Sequence, residues 1–240
     1  DPLNKKGPDY ERNKSRILDK IKVVDTTFLT TSPDVLNFLS RNNSHFIPNP
    51  SDKAFETLNN FDNSCNVDVF FALSHGVHRG VLKMGKTDDR IIFLKNLINK
   101  TPDVKFDFYG IDKIQPIWAD HYFKTIMNAK MGLNLSRGAA IKYYSSDRIT
   151  QIIGNGLVCL IDEKTQYNNF FNDREMVFYK NSSDLSEKIL KISRDEKLRK
   201  KIAKNGKEKY TKYFNSDLVS SFIIEKTFEL HNNKKYFWEN

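Results

Sequence analysis

Cysteine is almost missing from this chain: Cys65 and Cys159 stand alone and far apart. Two isolated thiols argue against a disulfide framework and against a cysteine-built zinc site, and they suit a reducing cytoplasm. Long apolar runs are missing too. No stretch of about 18 apolar residues occurs, so the sequence gives no membrane-spanning helix. The opening residues DPLNKKGP hold neither an initiator Met nor a signal-peptide pattern. Asp1 therefore reads as an internal residue of a longer parent or as an artificial start. Also lacking are internal repeats, low-complexity tracts, a P-loop and an Asp-x-Asp pair in a loop suited to holding Mg²⁺.

What is present describes a soluble globular chain. With 240 residues, 39% hydrophobic and 29% charged, it has room for one large or two small domains around a full core. Lys and Arg outnumber Asp and Glu 39 to 30, for a net charge of +9. Such an excess suits nucleic acid, an anionic membrane face or phosphorylated small molecules. Much of it lies in 191–212 (KISRDEKLRKKIAKNGKEKYTK), which reads as a solvated helix of mixed charge. No zinc-finger or RRM-type signature accompanies it, so nucleic acid is not the expected partner. Peripheral attachment to the inner membrane face is compatible with the charge.

Strand-like and helix-like patterns alternate, which implies a parallel sheet with right-handed crossovers and helices on both faces. Residues 11–22 look helical and Thr26–Thr31 looks like a strand. Ser32 and Pro33 then open a helix that carries Val35, Leu36 and Leu39 inward. His45–Ile47 is a short strand stopped by Pro48. The polar stretch 49–66 reads as a linker with a short helix. Strands follow at Val67–Leu73, Val104–Tyr109, Met131–Leu135, Leu157–Ile161 and Met176–Tyr179. Helices are expected at Asp88–Lys100 (apolar at Ile92, Leu94, Leu97 and Ile98), Trp118–Ala129 and Ser145–Ile153. Asp184–Ile192, Glu196–Tyr213 and Asp217–Leu230 close the chain as helices.

In open parallel sheets, ligands gather beyond the carboxyl ends of the strands, and four strand ends here carry polar or glycine-rich residues. Ser74–Lys86 offers Gly80 for close backbone approach and Arg79, Lys83 and Lys86 for phosphate, although a flexible basic loop would look alike. His75 and His78 lack a local carboxylate, so no metal is assigned to them. Tyr109-Gly110 forms an aromatic-glycine corner suited to a nucleobase, or an ordinary strand end. Ser136 and Arg137 put a hydroxyl and a guanidinium at another strand end. The richest stretch is Tyr144-Ser145-Ser146-Asp147-Arg148 with Gln151, Gly154 and Gly156. Ser145 or Ser146 would cap a helix whose amides attract a diphosphate. Arg148 in its first turn is disfavoured by the helix dipole unless an anion or Asp147 compensates it.

The run Ser146-Asp147-Arg148, Gln151, Gly154-Asn155-Gly156 and the apolar strand after it resemble the carboxyl-terminal domain of GT-B-fold glycosyltransferases. The likeness is to the group-1-like branch that includes spore-maturation-type transferases, and it covers roughly residues 66–214. It implies a Rossmann-like α/β donor domain over 67–214 and a terminal portion of an acceptor-side domain over 1–50. A linker over 51–66 and a closing helix over 215–240 that returns to the acceptor side complete the expected division. It further implies a nucleotide-diphosphate-sugar substrate, with Arg79, Lys83 or Lys86 facing the diphosphate and Ser146 and Arg148 completing its cradle. Gln151 stands where relatives carry a ribose-gripping Glu. Tyr143, eight residues earlier, replaces another, which leaves retention or inversion open. Arg79 and Arg148 are then the candidate catalytic groups, stabilising the leaving diphosphate without a metal or other cofactor. The acceptor, whether glycan, lipid or protein, is not identified. Two other classes fit: a GT-B-type sugar-nucleotide epimerase, and a non-catalytic basic binding module.

Overall fold

The computed structural model describes residues 8–39, 43–73, 88–230 and 234–239. Among these, five strands form one parallel sheet: β3 (Val67–Ala72), β4 (Phe106–Tyr109), β5 (Ala129–Asn134), β6 (Val158–Asp162) and β7 (Val177–Tyr179). Their spatial order is β4-β3-β5-β6-β7. The chain thus steps from β3 to one side and then returns across it to the other. That reversal opens a crevice beyond the carboxyl ends of β3 and β5, the place where doubly wound sheets bind ligands. The fold is the Rossmann-like α/β sheet expected from the sequence.

Alternation along each strand feeds two cores, one per face. Phe70, Ala72, Cys159, Ile161 and Phe178 point to one side. Val69, Phe71, Met131, Leu160 and Val177 point to the other, where α2 (Asp89–Lys100) and α5 (Ser182–Arg194) cover them. The helices α3 (Ala119–Ile126) and α4 (Arg148–Gly154) lie on the first face. The closing helices are α6 (Glu196–Tyr213) and α7 (Ser216–Thr227). Side-chain caps start several helices: Asp88 for α2, Asn181 for α5, Asp195 for α6 and Asn215 for α7. No helix among the described residues is long and apolar enough to cross a membrane.

Before the main sheet come α1 (Pro8–Ile21) and a parallel pair, β1 (Thr27–Leu29) with β2 (Ser44–Phe46). The helix expected after Ser32 is only a single 3-10 turn, Pro33–Val35. Ser32 does not cap it, because its hydroxyl bonds the Asp34 side chain instead. Leu36 and Leu39 are buried as expected, whereas Val35 is exposed. In α2 the buried stripe is Ile91, Leu94 and Leu97, leaving Ile92 and Ile98 facing outward. The helix expected over 118–129 stops at Ile126, since Ala129 already belongs to β5.

The stretch read as a polar linker carries no helix and is built into the fold. Ser51 N–H donates to Phe214 O at 2.8 Å, and Ser216 N–H donates to Ser51 O at 2.9 Å. Asn60 is fully buried, and its amide nitrogen bonds the carbonyls of Ile126 (2.7 Å) and Ala129 (2.8 Å), where α3 gives way to β5. Arg199, also fully buried, donates to Asn60 O at 2.7 Å and Asn63 O at 3.3 Å, and pairs with Glu196. Polar groups out of water need such partners, so this mostly exposed segment is anchored at the few residues it buries, Ser51, Asn60 and Cys65. Asn60→Ala strands two buried carbonyls. Urea unfolding is expected to show a loss of about 2–4 kcal/mol, and an unchanged midpoint would refute this anchoring role.

Candidate active site

A cavity of about 420 Å³ opens between α3 and α4 at the carboxyl end of β3, a volume within the ~300–1,000 Å³ typical of small-molecule sites. Leu73 and Ala72 form its floor, Ile117, Trp118 and Tyr122 one wall, and Arg148 and Gln151 the other, with Phe55 and Glu56 at an edge. The position of α4 depends on Gly132 in β5. A Cβ there would lie 2.5 Å from the Ile152 side chain, so only glycine lets this helix lie so close to the sheet.

Arg148 is the cation among the described residues lining this cavity, beside the carboxylates of Asp147 and Glu56. Its guanidinium lies 5.2 Å from the centre of the Phe71 ring and donates to Leu135 O at 2.9 Å. Its Nε is buried without a partner, and among the described residues it forms no ion pair. Burial, seconded by the nearby Arg90 charge, lowers its pKa to about 10, so it stays a cation at neutral pH. Tyr122 stands edge-on to Phe70 at 5.6 Å, and its buried hydroxyl also lacks a partner. Both residues line the cavity, so its wall holds two buried donors that lack a protein partner. Arg90 is itself gripped by Asp88 through bonds of 3.0 and 2.7 Å. Burial opposes ionisation of Asp88, but the Arg90 bonds outweigh it and hold the carboxyl below its usual range.

Of the residues proposed from sequence, Arg148, Asp147 and Gln151 line this cavity together. Ser136 and Tyr144 instead border a separate small cavity of about 30 Å³, beside the unpartnered Asn134 amide and Tyr179 hydroxyl. Arg137 lies close enough to Asp88 to influence its ionisation. Tyr109 packs against Phe70 and His121, and Gly110 N–H is spent on Gln115 O at 3.3 Å. Arg79, Gly80, Lys83 and Lys86, with His75 and His78, fall outside the described residues.

The helix start differs from expectation. It begins at Arg148, and neither serine caps it. Ser145 is buried between Asn49 Nδ2 (2.9 Å) and the Tyr167 hydroxyl (2.9 Å), while Ser146 Oγ donates to Asn134 Oδ1 at 2.9 Å. The amides of Ile149 and Thr150 close on the carbonyls of Ser146 (3.0 Å) and Asp147 (3.1 Å). Two of the first amides of α4 are thus spent within the chain, and the cation that lines the cavity is the Arg148 side chain. Tyr143 lies in the core, its ring 5.1 Å from Phe46 and 4.6 Å from Phe170. Of the residues lining the cavity, sequence reasoning missed Glu56, Trp118 and Tyr122. Trp118, an exposed aromatic next to a helix start, was the one with a legible signal.

A family model described as Glycosyl transferase-like matches residues 90–224. No curated protein matches the chain. Among solved structures, Anabaena HepE in complex with UDP-glucose aligns with 96% of this chain and 71% of its own, at TM-score 0.69 and 10% identity. A mutant of S. aureus TarM, in complex with fondaparinux, alpha-GlcNAc-glycerol and UDP, aligns with 90% at TM-score 0.64 and 12% identity. A glycosyltransferase from Rickettsia africae aligns with 95% of this chain and 68% of its own, at TM-score 0.61 and 11% identity. At such identities the likeness is one of fold. The chain spans about half the length of TarM, 46%.

Replacing Arg148 by Met removes a largely desolvated cation that forms no ion pair among the described residues. The ligand-free chain is expected to lose no more than about 1 kcal/mol and to gain if desolvation dominates, while stabilisation by added pyrophosphate disappears. Thermal melts with and without pyrophosphate measure both. A large loss of ligand-free stability, or a retained pyrophosphate response, would contradict the assignment.

Proposed function

The chain belongs to the glycosyl transferase-like family, and from that premise we propose that it binds the nucleotide-diphosphate-sugar donor of a sugar-transfer reaction. One observation carries the reading: the Arg148 guanidinium, desolvated and without an ion-pair partner among the described residues, lines a ligand-sized cavity at the switch point of the sheet. Bond breaking between the anomeric carbon and the diphosphate leaves negative charge on the departing β-phosphate. A fixed cation in a water-poor crevice lowers that charge's energy without reorganising. Arg148 has this role, and Arg79 is its proposed companion. Trp118, 59% exposed, and Phe55, 67% exposed, offer ring faces at the cavity edge, where a nucleobase can stack. UDP is the first nucleotide to try, because the HepE and TarM structures above hold UDP-glucose and UDP. The acceptor is a glycan, lipid or protein bound elsewhere.

No metal takes part in this proposal, since Arg148 supplies the countercharge that a divalent ion would otherwise bring. A thermal-shift screen with UDP, GDP, ADP and TDP tests the binding step. A nucleotide at a hundred times its Kd adds about 2.7 kcal/mol, roughly 5–10 °C in melting temperature for a chain of this size. The shift is expected to survive EDTA. If no nucleotide moves the melting point while RNA or anionic vesicles bind with steep salt dependence, the chain is a basic binding module instead. Isomerisation of a sugar nucleotide without an acceptor would favour the epimerase reading.

A further inference from the structure

Away from the candidate site, one face of α6 gathers charge of a single sign. The buried side of this helix holds Arg199, Ile202, Ala203, Gly206 and Tyr210. Gly206 comes so close to the Glu175 carbonyl that a Cβ would overlap it, which fixes the rotation of the helix. The opposite side then carries Lys197, Lys200, Lys201 and Lys204, at the i, i+3, i+4 and i+7 spacing of one helical face. Lys197, Lys201 and Lys204 are exposed, and the Lys200 side chain is 44% exposed. Four ammonium groups thus share about 10 Å of helix.

The acids nearby do not neutralise them. Glu196 pairs with the buried Arg199, and the Asp195 carboxylate caps the helix by accepting Leu198 N–H at 2.9 Å. The stripe keeps two loose contacts in water, Lys200 to Glu196 at 3.8 Å and Lys204 to Glu208 at 3.9 Å. Exposed pairs of this kind are weak. Lys197 and Lys201 form no ion pair among the described residues. Like charges three and four residues apart repel, and Lys197 stands in the first turn, where the helix dipole disfavours a cation. The stripe therefore lowers the stability of the free chain, and an anionic surface laid against it would offset that loss.

We propose that this face of α6 rests on an anionic lipid bilayer. Head groups present negative charge in a plane, and a stripe of lysines meets such a plane without needing a groove. Nucleic acid is the poorer fit. Single strands are held by bases stacked on exposed aromatics, and the tyrosines of α6 are engaged elsewhere, Tyr210 buried and Tyr213 stacked on Phe237 at 4.5 Å. With lysines at all four positions, the contact is electrostatic and falls away with salt. It goes beyond the donor reading and does not depend on it, because none of these lysines lines the Arg148 cavity.

Sedimentation of the chain with vesicles tests this. Binding is expected to vesicles of phosphatidylcholine mixed with phosphatidylglycerol, not to phosphatidylcholine alone, and is expected to vanish at high salt. Neutralising one lysine held near such a surface weakens binding about fivefold. Changing Lys197, Lys200, Lys201 and Lys204 together to Gln is expected to weaken it about a hundredfold or more, with an unchanged or higher melting temperature. Changing Lys20, Lys22, Lys113 and Lys124 to Gln, all exposed and outside α6, alters the net charge equally and is expected to leave most of the binding in place. Lys201→Gln alone, with a loss of about fivefold, serves if the α6 variant unfolds. No binding to the anionic vesicles, or an equal loss in the two fourfold variants, overturns the proposal. Tight binding of duplex RNA by a chain that ignores the vesicles also overturns it and assigns the stripe to nucleic acid.

Discussion

A guanidinium largely withdrawn from water and without an ion-pair partner among the described residues is costly to keep, and the candidate site is organised around one. Arg148 is placed by three features of the fold: the crevice between β3 and β5, the Phe71 ring beneath it, and the Leu135 carbonyl that takes one of its protons. None of these neutralises it. On the reading proposed above, an anionic ligand completes this charge, and Arg148 and Tyr122, each with a buried unpartnered donor, both line the cavity. Stability and binding are then opposed at this residue: what would ease the free chain would remove its hold on an anion.

The rest of the molecule serves to hold that arrangement still. Gly132 sets how close α4 comes to the sheet, and Asn60 and Arg199 tie the segment carrying Glu56 to the start of the central strand β5 and to α6. The cavity wall is therefore drawn from sequence positions as distant as 56, 118 and 148. Two of them, Trp118 and Arg148, lie within the family match, and Glu56 precedes it.

Much of this was legible in the sequence. The apolar runs of β3, β5 and β6 announce buried parallel strands, and the polar cluster from Ser146 to Gln151 contains three residues that line the cavity, Asp147, Arg148 and Gln151. The start of α4 was not legible, because Ser145 and Ser146 have the chemistry of caps but are claimed by Asn49, Tyr167 and Asn134, partners far away in the chain. Local preference yields to such tertiary hydrogen bonds. Glu56 and Asn60 were hidden for a related reason: a polar stretch whose side chains satisfy buried backbone groups has the composition of a solvated linker. Tyr143 shows the reverse, a position marked by family resemblance whose aromatic ring turned inward to Phe46 and Phe170.

A crystal structure of the chain soaked with a nucleoside diphosphate decides whether this site is what its charges imply. Phosphate oxygens are expected within hydrogen-bonding distance of the Arg148 guanidinium, with the ribose lying along α4 beside Gln151. A nucleotide bound elsewhere, with the Arg148 cavity holding only solvent, would contradict it.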